Sequence, residues 1–151
     1  MQGQKNNFDC IHIQSGCIAD DPDEMVSFTA RHNGDETFNK DDVIQFATIV
    51  TNYGNYYNRE TSIFICPHDG MYLFFSSLVG EGTDVLGHMA LDTMDLVGMQ
   101  SYSISNSASN LVFTECLRGT KVWVRQVNDG DVVGAYLGTS FSGYLLQRYE
   151  N

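Results

Sequence analysis

The amino-acid sequence predicts an all-β domain, a sandwich or barrel of about eight to ten short strands. Three observations predict it. Apolar and polar residues alternate with period two along several segments. The apolar stretches are strand-sized and separated by Gly, Asn, Asp and Ser clusters, and no segment shows a 3.6-residue period. Fourteen glycines stand against two prolines, and aromatics (12% of the chain) sit beside Val, Ile and Thr, a bias that suits pleated, half-buried surfaces.

The elements follow in order. Val26, Phe28 and Ala30 alternate with Ser27, Thr29 and Arg31, so the first strand has one buried and one wet face. Val43 to Val50 is a second apolar stretch, and Thr51 to Asn55 supplies turn chemistry. Ser62 to Cys66 is a short strand stopped by Pro67, His68, Asp69 and Gly70. The continuous apolar run from Gly70 to Val79 predicts a central strand buried on both faces. Leu86 to Leu91 and Asp95 to Tyr102 are weaker strands, followed by a Ser/Asn-rich loop from Ser103 to Asn110. Leu111 to Leu117 is the next strand, and Arg118, Gly119 and Thr120 form its turn. From Lys121 to Val127, Val122 and Val124 point one way and Lys121, Trp123 and Arg125 the other. Asn128 to Asp131 is a further turn, and Phe141 to Tyr149 is the last strand. Phe28, Phe46, Phe64, Tyr72, Phe74, Trp123 and Phe141 are the expected anchors of one core.

The 151 residues suit one domain, expected over residues 25–151 and preceded by a polar arm over residues 1–24 that ends in an acidic run, Asp20 to Glu24. No repeat or heptad pattern provides a collagen-like or coiled-coil stalk. The formal charge of −11 repels polyanions, which argues against nucleic acid, heparin-like chains and anionic lipid as partners. It fits other proteins, neutral glycans or cations, and solubility alone is its simplest reading. No apolar run approaches the roughly 18 residues of a membrane span, so no membrane insertion is expected. Met1 to Asp9 lacks the apolar centre of a secretory leader.

Cys10, Cys17, Cys66 and Cys116 match no zinc pattern. Four cysteines allow three pairings. The polar context of Cys10 and Cys17 favours a disulfide there, whereas Cys66 and Cys116 read as buried, inert thiols. No G-x-S-x-G, H-E-x-x-H or phosphate-cradling loop is present, and the histidines form no ligand pair, so no enzymatic activity is expected. Asp84, Asp92 and Asp95 are the candidate oxygen ligands for a hard cation such as calcium, with solvated loop charges as the plainer reading. No cofactor is required. The loops Ser101 to Asn110 and Asn128 to Thr139 carry Tyr102, Asn106, Asn110, Asn128 and Tyr136, the candidate ligand-binding residues. Flat rings with amide and hydroxyl partners hold sugars, and Tyr53, Tyr56 and Tyr57 add further rings.

Several strings recur in a recognisable order: Val26–Ala30, Val43–Phe46, Thr51–Tyr57, Phe64–Pro67, Asp69–Phe74, Leu117–Val124 and Ser140–Leu146. From Met25 to about Tyr149 the chain resembles the globular-head family of complement component 1q, whose fold is the tumour-necrosis-factor-like jelly roll. The resemblance implies a ten-stranded jelly-roll sandwich assembling as a homotrimer about an axis lined by aromatic and aliphatic residues. It implies a secreted, extracellular protein that recognises a carbohydrate, a microbial surface or another protein. In some members two aspartates bind axial calcium; aligned without gaps, their positions fall here on Gly98 and Asn106, so that site is expected to be missing unless a small gap brings in Asp95. Head-only members look like soluble lectins of innate immunity. The expected function is therefore a trimeric pattern-recognition lectin. The alternatives are a cytokine-like or adhesive trimer and an acidic, calcium-associated matrix protein.

Overall fold

Alternation becomes strand in most of the segments that carry it. The computed structural model describes residues 23–102, 106–134 and 137–150, and among these the regular structure is all strand. The strands are β1 (Ser27–Arg31), β2 (Glu36–Phe38), β3 (Thr48–Tyr53), β4 (Tyr57–Asn58), β5 (Ile63–Ile65) and β6 (Gly70–Val79). They continue as β7 (Val85–Leu91), β8 (Met94–Ser101), β9 (Ser107–Cys116), β10 (Lys121–Gln126), β11 (Asp131–Val133) and β12 (Ser140–Arg148). Two antiparallel five-stranded sheets, ordered β3-β1-β12-β6-β9 and β4-β5-β10-β7-β8, form the sandwich. This is the jelly roll that the resemblance implies. A small sheet of β2 and β11 adds buried Phe38 and Val133 to the core. The predicted arm lies outside the described residues up to residue 22; Glu24 is already held on the domain, accepting from Tyr56 Oη at 2.7 Å and lying 2.9 Å from His68 Nε2.

The core is a stack of rings. Phe28 stacks on Tyr57 at 4.6 Å and on Phe64 at 5.0 Å between ring centres, and meets the edge of Phe141 at 4.9 Å. Phe46, Tyr72 and Phe74 complete it, all fully buried. Tyr57, expected as a sugar-stacking face, is buried here, and its hydroxyl donates to the Phe46 carbonyl at 2.8 Å. Trp123 departs from its predicted role. It is only half-buried, because on β10 the core side belongs to Val122, Val124 and Gln126.

Three further differences have plain causes. Val43 bridges to Arg125 and Ile44 N donates to the Val124 carbonyl, so this stretch runs along the second sheet before β3 begins in the first. Strand β3 extends to Tyr53, and its turn is closed by Asn55 N donating to Asn52 O at 3.3 Å, with Gly54 at φ 83° in the position that favours glycine. Ser107 to Asn110 belong to β9 rather than to a loop, because each pairs with a residue of β6.

Gly143 of β12 lies under two core rings. A Cβ there would stand 2.5 Å from Phe28 Cε1 and 2.7 Å from Phe74 Cδ1. Gly143→Ala is therefore expected to cost about 1–3 kcal/mol through overpacking. Urea denaturation measures this; an unchanged midpoint would mean the rings have room to move.

Candidate functional site

Strand β6 is not buried on both faces. Tyr72, Phe74, Ser76 and Leu78 are buried, while Phe75 on the opposite side is 37% exposed. The second sheet covers only one side of the first, so the outward residues of β6 meet solvent. Cross-strand register lines them up with their neighbours. One row runs Phe113–Leu73–Tyr144–Ser27–Tyr53, and the next runs Leu111–Phe75–Ser142–Thr29–Thr51. Phe113, Tyr53, Leu111 and Tyr144 are exposed by 61%, 55%, 49% and 44%. On one side this apolar island is bounded by the polar row Ser109–Ser77–Ser140–Arg31–Thr48. On the other lies the row Glu115–Met71–Gln147. A groove of about 210 Å³ crosses it between Thr29, Leu73, Phe75 and Tyr144. A contiguous apolar patch with a polar border is the mark of a protein interface.

A second feature lies where β3 and β4, the edge strands of the two sheets, come together. A cleft of about 440 Å³ is lined by Ile49, Asn52, Asn55, Tyr57, Asn58, Arg59 and Glu60. Asn52 builds its wall, donating to the Tyr57 carbonyl at 2.8 Å and accepting from Tyr57 N at 3.2 Å. Asn58 Oδ1 accepts from Glu60 N at 2.8 Å, which fixes the following turn. Exposed Asn55, Arg59 and Glu60 border the opening. Sequence reasoning saw this segment as a turn between aromatics. The signal it passed over was the recurrence of Asn at positions 52, 55 and 58.

The predicted ligand-binding residues divide. Tyr102 is 67% exposed. Asn106, just before β9, donates from Nδ2 to the carbonyls of Thr83 and Ser101 at 3.4 and 3.2 Å, tying two loops together. Asn128 is exposed in the turn before β11 and hydrogen-bonds Asp131. Thr83 Oγ1 accepts from Val132 N at 2.8 Å, so the 80–84 loop and β11 share this end of the sandwich. Asn110 is set apart on β9, where its Nδ2 donates to the Gly98 carbonyl of β8 at 3.0 Å and closes the gap between the sheets. Tyr136 lies outside the described residues.

The predicted cation ligands are not brought together. Asp84 precedes β7 and Asp92 follows it, so the seven-residue strand holds them roughly 25 Å apart. Asp84 instead neighbours Asp131, whose carboxyl pKa is raised by burial and by the Asp84 charge. Asp92 Oδ1 accepts from Lys121 N at 3.0 Å. Both Asp95 oxygens are engaged by Arg125, at 2.9 Å from Nε and 2.5 Å from Nη2, and His88 Nδ1 lies 3.0 Å away. Arg125 first, then His88, holds the Asp95 carboxyl down at about 2. Arg125 also donates from Nη1 to Asp41 at 2.8 Å, so this carboxylate belongs to an ion-pair network. Among the described residues no three His, Cys, Asp or Glu side chains form a group able to hold a metal.

Comparison with known proteins places this geometry. A model of the C1q domain matches residues 27–146. Multimerin-1 of Mus musculus is 30% identical over 130 residues, which cover 82% of this chain but 11% of that protein. Complement C1q tumor necrosis factor-related protein 3 of Homo sapiens is 31% identical over 114 residues, 72% of this chain and 46% of the relative. The chain thus spans about a tenth and less than half of these two relatives. Among solved structures, the globular domain of zebrafish complement 1qA superposes with a TM-score of 0.71 at 17% identity, covering 82% of this chain and 99% of that one. Murine APRIL at pH 8.0 superposes with a TM-score of 0.66 at 14% identity, covering 82% and 100%. Both likenesses are of fold.

Proposed function

The chain belongs to the C1q domain family, and from that premise we propose that it is an extracellular homotrimeric recognition module of lectin type, binding glycans on microbial or other surfaces without chemistry. The observation that carries the reading is the apolar island of Leu73, Phe75, Leu111, Phe113 and Tyr144. Exposed, it costs solubility; packed against copies of itself about a threefold axis, it supplies the interface that the outward residues of β6 lack in one chain. The Asn52–Glu60 cleft is the part suited to a polyhydroxylated ligand. Amides, a guanidinium and a carboxylate surround a floor that includes Ile49, and such groups exchange hydrogen bonds with sugar hydroxyls. Three weak clefts on one rigid body gain avidity against a repeated surface epitope.

Native mass spectrometry of the purified protein, with calcium and with chelator, tests the assembly. A glycan array then tests the ligand class. The expected result is a trimer whose array signals fall at least tenfold in the Asn58→Ala/Arg59→Ala variant. A monomer under both conditions, or an empty array from an intact trimer, would remove the lectin reading.

A further inference from the structure

We infer that Cys66 and Cys116 are a disulfide-forming pair that joins the two sheets of the sandwich. Sequence context made both inert thiols; the fold makes them partners. Cys66 directly follows β5, in the second sheet, and Cys116 ends β9, in the first. The turn after Cys116 folds back onto Cys66. Cys66 N donates to the Thr120 carbonyl at 2.9 Å, and its own carbonyl accepts from Gly119 N at 2.8 Å. This pins Cys66 beside the end of β9, and both side chains are buried in the same core cluster, 0% and 2% exposed, near enough for each thiol to perturb the other's ionisation. Both are free in this structure. Neighbouring buried cysteines on a fixed backbone need only a local closure to bond.

The chemistry is thiol–disulfide exchange with a small-molecule disulfide such as glutathione disulfide as oxidant. One cysteine thiolate attacks the oxidant, forming a mixed disulfide and releasing one thiol. The second cysteine gives up its proton and attacks the mixed-disulfide sulfur. The Cys66–Cys116 bond forms and a second thiol leaves. The two cysteines lose two electrons and two protons, and the oxidant gains them. In the folded chain this route is closed, since burial keeps the oxidant away from both sulfurs. The bond therefore forms during folding. It closes a loop holding β6 to β9, long enough to constrain the unfolded chain strongly.

Formation of the bond in the organism rests on the extracellular reading; the capacity to form it does not. A Cys10→Ser/Cys17→Ser variant, unfolded and refolded in a glutathione redox buffer, isolates the pair. Intact mass in denaturant is expected to be two hydrogens below that of the dithiothreitol-refolded control. Peptide mapping is expected to give one cross-linked species containing both cysteines. The oxidised form is expected to melt roughly 5–15 °C higher than the reduced form. Two thiols titratable after refolding, or a glutathione retained on each, would overturn the pairing. If refolding yields too little protein, the same mass and mapping apply to material secreted by cultured cells. A bond that forms in the redox buffer, with both thiols free in protein from its native source, supports the pairing and counts against the extracellular reading alone.

Discussion

Phe141→Ala is expected to lower the unfolding free energy by about 3–5 kcal/mol, the range for deleting a buried aromatic ring. The ring is fully buried on β12, the central strand of the first sheet. It meets Phe28 edge-on at 4.9 Å, Phe46 at 5.8 Å, Tyr57 at 6.2 Å and Phe74 at 6.3 Å between ring centres. Tyr57 lies on β4 of the second sheet, so one side chain couples the two layers and its removal leaves a cavity between them. Scanning calorimetry should show a melting temperature lower by roughly 6–20 °C. Trp123→Ala serves as the internal comparison. Its side chain is half-buried on the outer side of β10, so the expected loss is less than half as large. Equal losses in the two variants would sink the assignment of the core.

Phe113→Glu is expected to turn the proposed trimer into monomer at micromolar concentration. Phe113 is 61% exposed in the single chain and contributes little to its fold. In a threefold assembly built on the apolar island, the same ring becomes a buried anchor. Anchors of this kind are worth about 2–4 kcal/mol per interface, and three equivalent interfaces multiply the loss. A carboxylate at that place adds the cost of burying an unpaired charge. Light scattering after size exclusion reads the assembly, and far-ultraviolet circular dichroism confirms the retained β structure. A variant that remains trimeric would show that another face carries the contacts.

Much of the fold was legible because alternation is a local property. Val26, Phe28 and Ala30 face the core as the period requires, and the bounds of β6 coincide with the apolar run from Gly70 to Val79. The motif strings from Val26 to Leu146 carried the jelly roll, since many of them are core rings and close-packed glycines whose order along the chain follows the order of strands. Short elements were not legible. Strands β2, β4 and β11 have two or three residues each, too few for any period to show, and form only because longer strands hold them in place.

The candidate sites divide along the same line. Residue type alone put Tyr102 and Asn128 in exposed loops, and they are exposed. It could not see that Asn106 and Asn110 spend their amides on carbonyls of other strands and loops, or that Arg125 occupies both oxygens of Asp95. Nor could the spacing of Asp84 and Asp92 reveal that a strand stands between them. Local pattern, charge and motif order by themselves determined an acidic all-β domain of this family. Which residues share a site was decided by tertiary structure alone. The apolar island and the Cys66–Cys116 pair draw on segments distant in sequence, which only the pairing of strands and the closing of two sheets bring within reach of one another; the amide cleft is built within residues 49–60 but opens only where the edges of the two sheets meet.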